Sequence, residues 1–285
     1  MISGTRYRLD QEVSRQLALS RDIAKAQTQL STTKRIQSPS EDPVAAARIS
    51  SIGRAQANDA VWKSNLDLAA SLADRADTAL KAAGTAFDRV TELMTQGATG
   101  TLSDQDRATI ALELRSIASE LTSLKDSKDS RGNALFMSGY SLRIPVQTGV
   151  QVIAVGTRED VFEGAPTAGG PKDLAQIVAD AATALETADP TARKAAIAVS
   201  VDEVGVAVSH VASQRGEQGA LANRVDQLLE RKADTGLQMK EERSGLEDTD
   251  IQAVVARLSS QQLSLQAAQA VFARVNENTL FDILR

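Results

Sequence analysis

Apolar residues recur in steps of three and four at both ends of the chain. Near the C-terminus the stripe runs Ile251, Val254, Leu258, Leu265, Ala268, Phe272 and Val275. Near the N-terminus it runs Ile2, Leu9, Ile23 and Leu30, with Val13 and Leu17 read onto the same face. A seven-residue beat places a narrow apolar seam along one side of a helix, and such a seam is soluble only against another seam. The available partners are the two chain ends or the ends of neighbouring copies. The pattern therefore points to assembly rather than catalysis.

Between these ends the periodicity predicts more helix. The first helix covers residues 4–34 and stops at Ser38-Pro39-Ser40-Glu41-Asp42-Pro43, because two prolines four apart cannot both lie inside a helix. Asp42 is placed to cap a second helix that opens with Pro43. That helix spans 43–97, with Trp62, Ala69, Ala76, Ala83 and Val90 at sevens and Leu66, Ala73, Leu80, Phe87 and Met94 interleaved. At 1.5 Å per residue this is a rod of roughly 80 Å. A third helix starts at a Ser103–Asp106 capping box and carries Ile110, Leu114, Ile117, Leu121 and Leu124.

The pattern changes over 132–172, where glycine and proline separate short β-type runs at 142–146, 150–155 and 160–162, with Thr148-Gly149 as a hairpin turn. This excursion is too small for a core of its own and is expected to rest on the rod. Helix resumes at Lys172, breaks at Pro190 with Asp189 as cap, and continues with Ile197, Val201, Val204, Val208 and Val211. A separate segment follows Arg215–Gly219, and Gly245 is read as the joint to the terminal helix. The fold class is mainly α: an elongated antiparallel helical rod with a small inserted β-rich segment. Its divisions are an N-terminal arm (1–42), a first rod half (43–135), a β-rich surface insertion (136–172), a second rod half (173–245) and a C-terminal arm (246–285).

Composition narrows the function. The chain of 285 residues is 42% hydrophobic but only 3% aromatic, so the core material is Ala, Leu, Val and Ile, which suits long helices packed closely. A net charge of -5 argues against nucleic acid as a partner. Residues 1–35 carry seven basic residues against three acidic ones, and a solvated helix face explains that better than a membrane surface. No apolar run approaches the ~18 residues of a membrane span, so no membrane insertion is expected. Met1–Arg6 has no apolar stretch, so no ordinary signal peptide is expected.

Candidate chemistry is sparse. With no cysteine and a single histidine, His210, neither a thiolate site nor a histidine-rich metal site is expected. The glycines of 164–170 lack the frame of a phosphate-binding loop. Trp62 lies on a helix seam and is read as core. No catalytic, cofactor or metal residue is assigned.

Leu30-Ser31-Thr32-Thr33-Lys34-Arg35-Ile36-Gln37-Ser38-Pro39-Ser40-Glu41-Asp42-Pro43 resembles the N-terminal signature of the bacterial flagellin family, and Gly100-Thr101-Leu102-Ser103-Asp104-Gln105-Asp106-Arg107 the loop before its third helix. Ser244–Asp250 and Leu258–Ala268 resemble its C-terminal signature. Pro39 and Pro43 around the acidic pair, the ending Thr279-Leu280-Phe281-Asp282, and Asn133–Gly139 resemble the hook-associated protein 3 branch. Leu135, Glu41 and Ile283 depart from that branch's commoner residues.

The resemblance implies a structural subunit exported unfolded by the flagellar type III apparatus, without signal-peptide cleavage and with the help of an export chaperone. It would join hook-associated protein 1 to flagellin outside the cell. Copies would form a ring, with the terminal helices as an axial coiled coil. The self-assembly seam would then be Ile2, Leu9, Val13, Leu17, Ile23, Leu30, Ile251, Val254, Leu258, Leu265, Phe272 and Val275, with Leu280 and Phe281 at its end. The rival readings are filament flagellin itself, an intracellular coiled-coil adaptor, and glycan capture by residues 140–170.

Overall fold

The computed structural model describes the backbone of residues 2–99 and 102–283, and the side chains of Tyr7, 10–99 and 102–274. Among these residues six α-helices and four short strands follow in the order α1 (Ile2–Thr32), α2 (Pro43–Gly97), α3 (Asp104–Lys125), β1 (Arg143–Gln147), β2 (Val150–Ile153), β3 (Ala165–Thr167), β4 (Gly170–Lys172), α4 (Leu174–Leu185), α5 (Pro190–Glu247) and α6 (Ile251–Ile283). The fold is mainly α. The chain forms two compact units, one of residues 1–57 with 235–285 and one of residues 58–234.

The second unit is built on the interleaved sevens of α2. Leu66, Ala69, Ala73, Ala76, Leu80, Ala83, Phe87, Val90 and Met94 are all buried, and so are Ile110, Leu114, Ile117 and Leu121 of α3. Alanine at alternate seam positions lets helices approach closely, and a buried leucine or phenylalanine is worth roughly 1.5–3 kcal/mol. Gly97 shows how close: a Cβ there would stand 2.6 Å from Leu185 Cδ2 of α4. Trp62 is half-buried, with the Lys232 ammonium 4.5 Å above its ring and 2.8 Å from Asp59.

Local chemistry sets the helix starts. Ser103 and Asp106 form the capping box of α3. The Asp173 carboxylate accepts from the Ala175 and Gln176 amides at the head of α4, and Asp189 accepts from Ala192 at 2.6 Å just before Pro190 opens α5. α5 itself corrects the sequence reading: it runs unbroken through Gly216, Gly219 and Gly245. A glycine lowers helix propensity by about 1 kcal/mol but removes no hydrogen bond, so good helix formers on either side carry the helix through. The face of α5 also differs from expectation, since Ser200 and Ala207 are buried while Val201 is exposed. An 18-residue window of α5 is apolar enough to cross a membrane by length and composition. This departs from the expectation that no apolar stretch reaches that length, because scattered small polar residues interrupt the run yet hardly lower its average.

The insertion consists of two hairpins. β1 pairs antiparallel with β2, Ile144 opposite Val152, through a turn in which Gly149 has φ of 75°. β3 pairs with β4. The strand expected at 160–162 is instead a π-helical turn, Glu159–Glu163. Alternation cannot bury two successive residues on one face, yet Val161 and Phe162 are both buried. The Asp160 amide donates to Thr157 Oγ1 at 3.1 Å and starts the turn. Phe162 meets Phe136 edge to face, their centroids 4.9 Å apart.

Ile144, Val146, Val152, Val161 and Phe162 share one buried cluster with the helices, so the insertion does rest on them. Polar side chains of the helices grip its main chain. Gln218 of α5, only 3% exposed, donates Nε2–H to Ala154 O at 2.7 Å and more weakly to Ala73 O at 3.4 Å. His210 Nε2 lies 3.2 Å from Val161 O, and Asn65 Nδ2 donates to Pro145 O at 2.8 Å. Replacing Gln218→Leu should leave the Ala154 carbonyl buried without a donor and lower the stability of this unit by about 1–3 kcal/mol. Urea unfolding followed by Trp62 fluorescence measures it, and an unchanged midpoint would refute the anchoring role.

Candidate assembly surface

In the first unit α1 packs against α6. The α6 side chains withdrawn from solvent are Val254, Leu258, Gln261, Leu265, Ala268 and Phe272, and those of α1 include Glu12, Gln16, Leu19, Ile23, Ala26 and Leu30. Both sets advance in fours and threes, the spacing of an antiparallel coiled-coil seam. Ile23, Leu30, Val254, Leu258, Leu265 and Phe272 are thus brought to one seam. The side chains of Ile2, Leu9, Val275, Leu280 and Phe281 lie outside the described residues.

Val13 and Leu17 do not share that face, being 45% and 53% exposed, and Ile251 is 49% exposed. The helix period explains the difference. Sevens counted back from Leu30 pass through Ile23 and reach Gln16, and Val13 stands about 60° and Leu17 about 100° round the helix from it. Reading for apolar residues alone skips Gln16 and its counterpart Gln261, which follows Val254 by seven. Tyr7, Leu263 and Val271 are likewise exposed, Leu263 at 68%. The terminal pair therefore buries one stripe and leaves other apolar side chains uncovered.

A backbone clasp closes the pair. The Arg35 amide donates to Glu247 O at 2.7 Å, the Thr249 amide donates to Thr33 O at 2.9 Å, and Lys34 forms an antiparallel bridge with Asp248. These residues belong to the two signature segments, more than two hundred positions apart in the chain. Thr33 has φ of 57°, a left-handed conformation that costs a β-branched residue roughly 1–2 kcal/mol and turns the chain out of α1. Gln29, buried, donates to Arg35 O at 2.8 Å, and Arg35 Nη2 donates to Leu246 O at 3.0 Å. Beyond the clasp Asp42 caps α2 by accepting from Ala45, and Asp250 caps α6 by accepting from Ala253, each at 3.0 Å.

Charge reinforces the clasp. The Glu247 side chain, 12% exposed, accepts from Arg243 at 2.7 Å and is ion-paired with Lys34. Hydrogen bonds from Arg243 and then Lys34 hold its carboxyl below the ordinary value of 4.5. Glu41 is lowered by the Gln37 amide and then by Lys25, and Glu242 by Arg48.

The insertion offers a different kind of surface. A cavity of about 430 Å³ opens between α2 and the β1–β2 hairpin, lined by Asn65, Leu72, Asn133, Leu135 and Ile144 among others. Its Asp129 carboxylate is engaged by the Arg131 and Asn133 amides and by Asn133 Nδ2. Glu159, held down to about 2 first by Ser138 Oγ–H and then by the Gly139 amide, ties the segment after Phe136 to the π-helical turn. Among the described residues no three His, Cys, Asp or Glu side chains are grouped to hold a metal ion.

Comparison with known proteins follows the same geography. The family model for the bacterial flagellin N-terminal helical region matches residues 12–140, and that for the C-terminal helical region matches 201–284. The flagellar hook-associated protein 3 of Escherichia coli is 25% identical over 288 residues, covering 90% of this chain and 90% of that protein. That of Salmonella typhimurium is 26% identical over 289 residues, covering 90% and 91%. The flagellar junction protein of Legionella pneumophila shares the fold, with a TM-score of 0.56 at 14% identity over 70% of this chain and 100% of that one.

The depressed carboxyl of Glu247 gives the clasp a pH dependence. Its contribution is complete above the unfolded value of 4.5 and is lost as pH falls through the lower folded value. The thermal melting of the terminal helices, read by far-UV circular dichroism, should shift down as pH drops below about 4.5. Glu247→Gln should melt earlier at neutral pH and respond less to acid. A variant with the full acid response would sink this assignment.

Proposed function

The chain belongs to the bacterial flagellin family, and from that premise we propose that it joins hook-associated protein 1 to flagellin at the hook–filament junction. It is a structural component of the flagellum, homologous to hook-associated protein 3. The observation that carries the junction reading is the match to relatives named hook-associated protein 3 across nine tenths of the chain and of the relatives themselves.

In this reading the terminal pair is the assembly surface. Its exposed apolar residues, among them Val13, Leu17, Ile251, Leu263 and Val271, are the ones a neighbouring copy would cover. Each leucine fully covered contributes roughly 1.5–3 kcal/mol, against roughly 1–2 kcal/mol per residue for backbone that must be ordered. The protein would leave the cell unfolded through the flagellar export apparatus, without loss of a signal peptide. An export chaperone would shield the terminal stripes until they meet copies of the chain in a ring. The adjoining layers would be hook-associated protein 1 on one side and flagellin on the other.

Immunogold labelling of isolated hook–filament structures tests the location: a narrow band at the junction is expected. Label along the whole filament would make the chain a flagellin, and its absence from flagella would return it to an intracellular role. Deleting residues 251–285 tests the surface. Incorporation into flagella should be abolished while the second unit stays folded by Trp62 fluorescence, and a truncated chain that still restored motility would refute the role of the terminal pair.

A further inference from the structure

The cavity between α2 and the β1–β2 hairpin has the size and the lining of a ligand site. Its volume of about 430 Å³ falls within the range of small-molecule pockets, roughly 300–1,000 Å³. Its floor is apolar: Leu72, Leu135, Ile144, Ala154 and Val155 are all buried. Its walls are tied in place by hydrogen bonds. Asn65 Nδ2 donates to Pro145 O at 2.8 Å, the Leu135 amide to Ser127 O at 2.8 Å, and the Arg158 amide to Met137 O at 2.9 Å. Walls held in this way cost a ligand little ordering. The rim is charged. Of the lining residues only Asp129, Arg131 and Arg143 are ionised, which leaves one net positive charge. Arg131 faces Asp129 and helps to lower its carboxyl. Arg143 is exposed and makes no ion pair among the described residues. Beside it Leu142 is 39% exposed, so the rim also carries uncovered apolar surface.

We propose that this cavity binds a small amphiphilic monoanion, a single-chain carboxylate whose tail lies on the apolar floor and whose head pairs with Arg143. A guanidinium matches a carboxylate through two parallel hydrogen bonds, which an ammonium cannot copy. One net positive charge balances one negative charge. A phosphate monoester would bring a second negative charge up to Asp129, where nothing offsets it. The tail covers Leu142 and removes it from water, and that burial supplies the apolar share of the affinity. The bound molecule touches α2 and the hairpin together, so it stabilises the insertion in proportion to its occupancy. This site lies in the second unit and is independent of the junction role.

Methionine methyl groups read the cavity directly. The chain has four methionines, and Met137 lines the cavity whereas Met94 and Met239 do not. Full-length protein labelled at the methionine methyls is titrated with decanoate below its micelle concentration and followed by NMR. A saturable shift of the Met137 signal, assigned by its loss in Met137→Leu, is expected while Met94 and Met239 stay in place. A Met137 signal that does not move overturns the proposal. Arg143→Glu should weaken decanoate binding by about tenfold or more, as loss of a charged hydrogen bond does. Arg143 is exposed, so the variant keeps its fold, and its spectrum without decanoate checks this. Decyltrimethylammonium has the same tail and a cationic head, and it should bind more weakly than decanoate by a similar factor. Equal binding of the two heads, or equal binding by Arg143→Glu and the parent chain, would leave only apolar adsorption and overturn the proposal. Phosphatidylglycerol vesicles are the last arm. If they move Met137 as decanoate does, the cavity takes a membrane lipid and the free carboxylate is overturned.

Discussion

The antiparallel backbone clasp between Thr33–Arg35 and Glu247–Thr249 fixes how α1 lies against α6. A helix hairpin with a single apolar stripe has little to prevent slippage, because one heptad resembles the next. The clasp removes that freedom at one end, and every later contact is counted from it. Lys34 and Arg243 converge on Glu247 beside it, so the charges hold the same register as the backbone. The turn that makes it possible places a threonine in the left-handed region. That cost is tolerable because the hydrogen bonds on either side of the turn leave the backbone no alternative.

The second unit works on different physics. Its helices meet through alanine, and the few large aromatic side chains are kept for places where helices and hairpins converge: Phe87 on α2, Phe136 and Phe162 at the insertion. With so little aromatic material, close approach supplies the stability. Gly97 opposite Leu185 is the extreme of that tendency, a contact with no room for a methyl group.

Much of this was legible in the chain because heptads are a one-dimensional signal. The stripes of α2 and α3, the caps at Asp42, Ser103 and Asp189, and the hairpin at Gly149 all follow from spacing within a few residues. Three things did not. Gln16 and Gln261 occupy seam positions but are polar, so a search for apolar repeats passes over them. Gln218 and His210 act across more than forty positions of sequence, and no local pattern announces the carbonyl at the other end. The π-helical turn at Glu159–Glu163 arises because two adjacent side chains must enter one core, a demand set by the tertiary structure and invisible in the segment itself.

The polar anchors of the insertion have a consequence for how this surface can change. Gln218, His210 and Asn65 grip Ala154, Val161 and Pro145 by their main-chain oxygens. A main-chain oxygen is present whatever residue supplies it. Outward-facing positions of the hairpins can therefore drift in identity while the grip from the helices stays the same.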